Sequence, residues 1–377
     1  MGELWDILVI GLGAHGSSAL YHLSKTGKKV VGIDRYKPPH IYGSSHGQSR
    51  IIRQAYHESP FYVPLVQAAY PLWEEIERET GKTLLLKTGG LLLGLADGTL
   101  INGARLSAET HGIEYEDLSD SDLRRRFPAF RPGAGTVGVW EKEAGILFPE
   151  ECIRAWLTGA AANKASLYCD EIVLGIVPRS DVVEVTTDKG RYIAEKVIVS
   201  AGAWMGTLLP ELQLPLTIER QVVCWFGDKK SRNHFLPSGM PVYIWQYEPG
   251  KFFYGFPDLG EGIKIGFHHG GRQITAGELR QDADPSEIRA IEDIAGRYLD
   301  IEPVFRDSSV CMYTNTPDEH FIIDAYPGCE RILIASPCSG HGFKFSSLIG
   351  KILSELATDR PVGFDLSPFA INRPAMQ

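Results

Sequence analysis

Trp5-Asp6-Ile7-Leu8-Val9-Ile10-Gly11-Leu12-Gly13-Ala14-His15-Gly16 decides the reading of the fold. Trp5 to Ile10 is a short apolar run closed by glycine, the pattern of a strand buried on both faces in a parallel sheet. The residues after Gly16 read as a helix expected to end at Gly27, and Lys28 to Ile33 as a second strand closed by Asp34. Strand, glycine turn, helix and strand make a βαβ unit. In such a unit Gly11 permits the tight turn, Gly13 lets the backbone approach a pyrophosphate, and Gly16 lets helix and strand pack closely. The pyrophosphate would rest on the helix N-terminus, where free N–H groups and the positive dipole end favour an anion. Asp34 follows Gly11 by 23 positions, placed to accept from ribose hydroxyls and to disfavour a 2′-phosphate. Three glycines alone fall in turns by chance. All these features in register predict a dinucleotide site.

The rest of the composition narrows the class. A chain of 377 residues suits two domains, and 44% hydrophobic with 23% charged residues excludes a largely disordered polypeptide. The net charge of −9, from 38 basic and 47 acidic residues, argues against a nucleic-acid binder. No apolar run approaches the ~18–20 residues of a membrane span. Met1 to Asp6 carries acids where a signal peptide needs a basic leader, and Asp6 stands where an acylation motif on Gly2 needs Ser or Thr. Six cysteines without a CxxC pair predict neither a zinc site nor a disulfide framework, and no metal is expected. Pro374 to Gln377 lacks a peroxisomal tripeptide, so the expected location is the cytoplasm.

Further along, Leu65, Ala69, Leu72 and Ile76 keep helical spacing between Phe61 and Thr80, with Gly81 after them. Strands are expected at Gly90–Gly94, Val182–Thr187 and Arg331–Ser336, and Lys196 to Trp204 reads as another apolar strand running into a glycine turn. Ser339-Gly340-His341-Gly342 reads as a glycine-rich loop leading into a helix from about Phe345 to Leu356. His268 and His269 are expected on opposite sides of a strand, a poor metal pair. Nucleotide-binding character at both ends and a β-rich middle predict an α/β (α+β) fold whose two domains interleave along the chain.

Three further stretches carry a resemblance. They are Pro38-Pro39-His40-Ile41-Tyr42-Gly43-Ser44-Ser45-His46-Gly47-Gln48-Ser49-Arg50-Ile51-Ile52-Arg53, Cys311-Met312-Tyr313-Thr314-Asn315-Thr316-Pro317-Asp318-Glu319, and Ser339-Gly340-His341-Gly342-Phe343-Lys344-Phe345. With the opening glycine motif and in this order, they resemble the monomeric sarcosine oxidase family over essentially the whole chain. That family includes N-methyltryptophan oxidase and pipecolate oxidase. The resemblance implies a Rossmann-like, glutathione-reductase-type FAD domain formed by 1–85, 146–219 and 321–377. It implies a mixed-sheet substrate domain formed by 86–145 and 220–320. It also implies a monomer that oxidises secondary amino acids (N-methyl or cyclic) with O2, giving hydrogen peroxide. Cys311 matches the position linked to the flavin through an 8α-S-cysteinyl bond.

The resemblance assigns roles that elementary chemistry can judge. Arg53 and Lys344 match the cations that clamp the substrate carboxylate. A guanidinium fork reads a carboxylate bidentately and an ammonium adds a point charge. A lone cation is ordinarily a solvated surface charge, but Arg53 lies among Ile51, Ile52, Ala55 and Tyr56, and Lys344 lies between two phenylalanines. Lys264 matches the lysine that promotes reaction of reduced flavin with O2. Its alternation in Gly262-Ile263-Lys264-Ile265-Gly266 equally suits an outward-facing strand lysine. His46 and Arg50 match residues along the flavin ring, with Ser44 in the same motif. His268 and Tyr254 match pocket residues, weighed against a capping histidine and a core aromatic. Val173, Gly202, Gly340 and Gly342 match cofactor-contacting positions. Gln48-Ser49 and Pro337-Cys338 depart from the sarcosine members; the Gln-Ser version looks more like pipecolate oxidases. Competing expectations are an L-pipecolate- or proline-type oxidase or dehydrogenase of the same fold, and a non-catalytic flavin-binding protein.

Overall fold

A computed structural model of the chain describes residues 3–376; Met1, Gly2 and Gln377, and with them the acylation reading at Gly2, lie outside the described residues. The opening segment folds as β1 (Leu4–Ile10), α1 (Ala14–Ser24) and β2 (Val30–Ile33). β1 runs parallel to β2, with Ile7 beside Val30 and Ile10 beside Ile33. On its other side β1 runs parallel to Arg191–Val199. Leu8 and Ile10 pack with Val31, Val199 and Ile334 on one face, whereas Ile7 and Val9 pack with Leu20 of α1 on the other. Burial on both faces is why this strand shows no polar alternation.

α1 stops three residues before the expected Gly27. The Thr26 backbone N–H and hydroxyl both bond the Leu23 carbonyl, at 2.9 and 2.6 Å, which closes the last turn early. Gly27, at φ +77°, then reverses the chain toward β2. The later helices match their spacing. α2 spans Tyr62–Thr80 and ends on Gly81 at φ +65°, and a helix spans Ser346–Ala357.

The molecule is a mixed α/β structure with two large sheets. The first has the order Val173–Pro178, Val183–Thr187, Arg191–Val199, β1, β2, Ser166–Tyr168, and Ile322–Tyr326 pairs with Cys329–Ser336, which joins it on Arg191–Val199. The second contains Gly90–Leu95, Glu116–Leu118, Thr136–Glu141, Thr217–Asp228, Val242–Glu248, Lys251–Phe256, Ile263–His268, Gln273–Ile274 and Pro303–Asn315. The chain therefore visits the first sheet at the beginning, middle and end. A small sheet of β3 (Arg50–Ile52), Leu85–Lys87 and Gly145–Leu147 lies between those visits in sequence.

Alternation in the second sheet positions the site. Val222, Cys224, Phe226 and Val310 face a core closed by Ile291 and Ile294 of the helix Pro285–Tyr298. The intervening residues point the other way, so Val223, Ser309, Cys311 and Tyr313 line a cavity.

Candidate active site

Two confluent cavities run through the molecule, sharing Ala14, His15, Ser44, Ser45, Pro337 and Cys338 in their walls. The first, about 350 Å³, is lined by Gly11, Gly13, Asp34, Ser44, Val173 and Gly202. Gly11 adopts φ +85°, and a Cβ there would lie 2.3 Å from the Ser200 carbonyl oxygen. Gly16 stands behind the loop. A Cβ on it would lie 1.8 Å from the Gly11 carbonyl oxygen, so its bare Cα lets the turn close. Asp34, 7% exposed, accepts the Leu12 N–H at 2.6 Å and the Tyr36 N–H at 2.8 Å. It thereby pins the glycine loop to the end of β2, and its two oxygens retain lone pairs for further donors.

These residues fit a flavin dinucleotide. Gly13 caps α1 without a side-chain hydrogen bond among the described residues. A Cβ on Gly13 would meet only the Ser45 hydroxyl, at 3.7 Å. The Ala14 N–H reaches the Ser45 hydroxyl only at 3.4 Å, and a helix N-terminus facing a cavity is where an anionic pyrophosphate binds. Arg35, Tyr36 and Trp204 also line this cavity. The Arg35 guanidinium sits 5.6 Å from the Tyr36 ring and 5.9 Å from that of Trp204. Glu171, 3% exposed, accepts the Thr187 hydroxyl at 2.6 Å in the same wall. The sequence reading missed these residues. Only Trp204, running from an apolar strand into a glycine turn, carried a local signal.

The second cavity gathers residues from three distant stretches: His46, Arg50 and Arg53; Tyr254, His268 and Cys311; and Gly340, Gly342 and Lys344. Arg53 is 4% exposed. Its Nη2 bonds both Glu58 oxygens, at 2.8 and 2.7 Å, and His57 Nδ1 at 2.9 Å, and its Nη1 donates to the Ala55 carbonyl. Its Nε is buried with no hydrogen-bond partner among the described residues. Burial alone would push the Glu58 carboxyl up, but Arg53 and His57 hold it well below its ordinary range. Glu58 was not anticipated from sequence. Nor was Glu141, a buried carboxylate that accepts the Gln54 and Ala55 N–H groups and so fixes the segment carrying Arg53.

Lys344 is 5% exposed. Its Nζ donates to the His341 carbonyl at 2.8 Å and to the Tyr56 hydroxyl at 3.3 Å. Burial, aided by Arg53 and opposed by Glu58, brings its pKa down to about 7.

Lys264 is 2% exposed and not an outward-facing strand lysine. Its Nζ donates to the Gly47 and Ser49 carbonyls, at 2.6 and 3.0 Å, and to the Ser49 hydroxyl at 3.0 Å. It lies 4.7 Å from the Phe256 ring, behind the loop that brings His46 and Arg50 to the cavity. Burial, then Arg50, drives its pKa well down. His46 approaches the Ser309 hydroxyl at 3.3 Å through Nδ1, and its Nε2 is buried without a partner among the described residues. Burial and Arg50 bring its pKa to about 4. Arg50 donates to the Ser49 and Ser44 carbonyls, at 2.8 and 2.7 Å, tying the loop together.

Cys311 faces the cavity from the strand Pro303–Asn315. Burial pushes its thiol up, while Arg50 and Lys264 pull it back. Tyr254 is pushed up to about 12 by burial. His268 Nδ1 lies 3.4 Å from the Tyr313 hydroxyl, and burial with His269 nearby holds it neutral. His268 and His269 do not alternate across a strand. The strand ends at His268, His269 turns at φ +62°, and the two rings lie 4.3 Å apart. His269 is drawn there by Glu219, 3.2 Å from its Nδ1.

The chain has clear relatives among known proteins. Residues 6–356 match the DAO family, FAD dependent oxidoreductases. The chain is 38% identical over 372 residues to the monomeric sarcosine oxidase of Streptomyces avermitilis, covering 96% of this chain and 97% of that one. It is 35% identical over 381 residues to the N-methyl-L-tryptophan oxidase of Citrobacter koseri, covering 98% and 99%. Among solved structures NikD, an unusual amino acid oxidase essential for nikkomycin biosynthesis, superposes with a TM-score of 0.85 at 24% identity, covering 98% of this chain and 97% of that one. L-proline dehydrogenase from P. horikoshii superposes at 0.83 and 20%, covering 98% of each chain. These two likenesses show the fold. The chain belongs to the FAD dependent oxidoreductase family and, within it, to the monomeric sarcosine oxidase family of amine oxidoreductases.

Proposed function

We propose that this enzyme oxidises secondary amino acids, N-methyl or cyclic, of which sarcosine is the simplest, and passes the electrons to O2. The observation that carries the reading is a pair of buried cations, Arg53 and Lys344, in the wall that also holds Cys311. FAD, when bound, supplies the two-electron acceptor for hydride leaving the carbon beside nitrogen. The protein supplies position. Arg53 keeps Nε without a partner among the described residues, and Lys344 donates to two groups with its three protons. Lys344 thus keeps one proton, and Arg53 its positive charge, for a substrate carboxylate. Anchoring that carboxylate orients the rest of the molecule, a positioning effect.

In the same reading Lys264 is the cation that stabilises negative charge as O2 is reduced. Cys311 is the point of covalent attachment, and Gly11, Gly13, Asp34, Ser44, Val173 and Gly202 hold the dinucleotide. His46, Arg50, Gly340 and Gly342 border the flavin ring, and Tyr254 and His268 border the substrate. The sheets support the division into an FAD domain (1–85, 146–219, 321–377) and a substrate domain (86–145, 220–320). No helix among the described residues is long and apolar enough to cross a membrane, and the reading is completed by a cytoplasmic monomer. Pro337 and Cys338 line the junction of the two cavities.

The test is peroxide release in air from sarcosine, pipecolate, proline, N-methyltryptophan and their primary-amine counterparts. Peroxide from secondary amines is expected. Release from primary amines alone would reject the proposed substrate class.

A further inference from the structure

Behind the turn 316–321, which follows the strand carrying Cys311, lies a segment that the catalytic reading leaves unused. Arg373 is buried there and holds the turn with its guanidinium. Its Nε and Nη2 donate to the two Asp318 carboxylate oxygens, at 2.8 Å each, and Nη2 also reaches the His320 carbonyl at 3.2 Å. Its Nη1 donates to the Phe321 carbonyl at 2.9 Å and to the Ala370 carbonyl at 3.1 Å. Arg373 keeps the Asp318 carboxyl well below its ordinary range, so the pair stays ionised. Shortly before it, Phe369 of the short helix Ser367–Phe369 stacks on Phe321, with ring centroids 5.4 Å apart.

Both contacts converge on His341. The Phe321 ring stacks on that of His341 at 4.8 Å. The Glu319 carbonyl, between the residues that Arg373 holds, lies 3.0 Å from His341 Nε2. A carbonyl only accepts, so Nε2 carries a proton, and in a ring that burial keeps neutral Nδ1 is the acceptor. Nδ1 accepts the Tyr56 O–H at 2.5 Å. His341 thereby sets both acceptors of the Lys344 ammonium. One is its own carbonyl, at 2.8 Å, and the other is the Tyr56 oxygen, at 3.3 Å.

We propose that Arg373 is a positioning residue of the carboxylate clamp, acting through the turn 316–321 and His341 to aim the Lys344 ammonium. The proposal rests on the reading of Lys344 as a cation for the substrate carboxylate. A lysine needs such support, because its ammonium is a point charge on a flexible four-carbon stem. The Thr316 hydroxyl also serves the His320 carbonyl, at 2.6 Å, and the Tyr62 hydroxyl lies 3.1 Å from His320 Nδ1. Neither replaces the fork that joins the Asp318 carboxylate to the Phe321 carbonyl across Glu319. Without that fork the carboxylate and the carbonyl lose charge-assisted bonds. A turn that shifts to hydrate them carries the Glu319 carbonyl and the Phe321 ring off His341, and Lys344 loses its aim.

The experiment is titration of the oxidised, flavin-loaded enzyme with methoxyacetate. This anion has the shape of sarcosine with oxygen in place of nitrogen, so it offers a carboxylate but cannot be oxidised as an amine. Flavin absorbance reports its binding. Arg373→Lys keeps the charge but not the fork, and should raise the Kd about tenfold, the worth of one hydrogen bond to a charged group. Asp318→Asn should shift the Kd in the same direction and provides the second variant should Arg373→Lys fold poorly. Neither should change the flavin content or the rate at which dithionite-reduced flavin turns yellow again in air, the step assigned to Lys264. An unchanged Kd in both variants would overturn the positioning role while leaving the clamp intact. A fall in flavin content or air reoxidation that matches the loss of binding would also overturn it, because it would mark a general loosening of the fold. Failure of methoxyacetate to perturb the wild-type flavin would overturn the clamp reading, and the positioning role with it.

Discussion

Replacing Lys344 by methionine isolates one buried amine, and its consequence for stability can be worked from the structure. The lysine has a pKa of about 7 in the fold against an ordinary 10.5. The folded value is the lower one, so between pH 7 and 10.5 the unfolded chain holds a proton that the folded chain does not. Stability from this group therefore rises with pH across that window and is lost as pH falls toward 7. The gap is 10.5 − 7 = 3.5. At ~1.36 kcal/mol per unit, the buried cation costs about 5 kcal/mol when fully formed. Lys344→Met also removes the donor to Tyr56 and His341, but that loss does not depend on pH. The assay is urea unfolding of both proteins from pH 7.5 to 9.5. The stability of the wild type relative to the variant should climb by about 1.4 kcal/mol per pH unit, one proton's worth. Parallel profiles would refute the reasoning, because they would mean that Lys344 keeps its proton throughout.

Other outcomes follow from the same geometry. Lys264→Met should slow reoxidation of the flavin in air by about 10²–10³-fold, the usual loss when a placed electrostatic donor is removed. Anaerobic reduction should be nearly unchanged, and an equal fall in both half-reactions would remove the O2 role. Denatured and precipitated wild type should stay yellow, whereas Cys311→Ser should release its colour to the supernatant; a colourless wild-type pellet would mean that no covalent link forms. Gly16→Ala places a methyl 1.8 Å from the Gly11 carbonyl oxygen and should cost about 3 kcal/mol or more. Lower urea midpoint and flavin content would show it; wild-type values for both would contradict the turn's geometry.

How far the sequence could be read depended on the range of the interaction involved. Trp5 to Asp34 folded as its pattern predicts, apart from the end of α1, because strand runs, glycine spacing and the terminal acid are all written in consecutive residues, although β1 also pairs with the distant Arg191–Val199. At the end of α1 the Thr26 N–H and hydroxyl, both on the Leu23 carbonyl, close the helix before the glycine. Lys264 shows the opposite case. Alternation in a strand leaves two faces equally open, and only the loop Gly47–Ser49, more than two hundred residues away in sequence, decides that the amine is buried. The Arg53–Glu58 pair and the Glu141 carboxylate beneath them carry no motif, since single acids in a chain with 47 Asp and Glu residues do not stand out. His269 illustrates a local rule overridden from outside. Its left-handed turn follows the pull of Glu219 on the neighbouring strand. Arg35, Tyr36 and Trp204 converge only because β2 and Arg191–Val199 flank β1 in the same sheet.

The central claim is that the buried cations and the flavin site act on one secondary amino acid. Its most direct test is to mix the yellow protein anaerobically with sarcosine, pipecolate, proline and N-methyltryptophan in turn while recording the flavin spectrum. The account predicts that at least one of them bleaches the flavin and that the colour returns on admitting air. An unchanged spectrum with all four would contradict it.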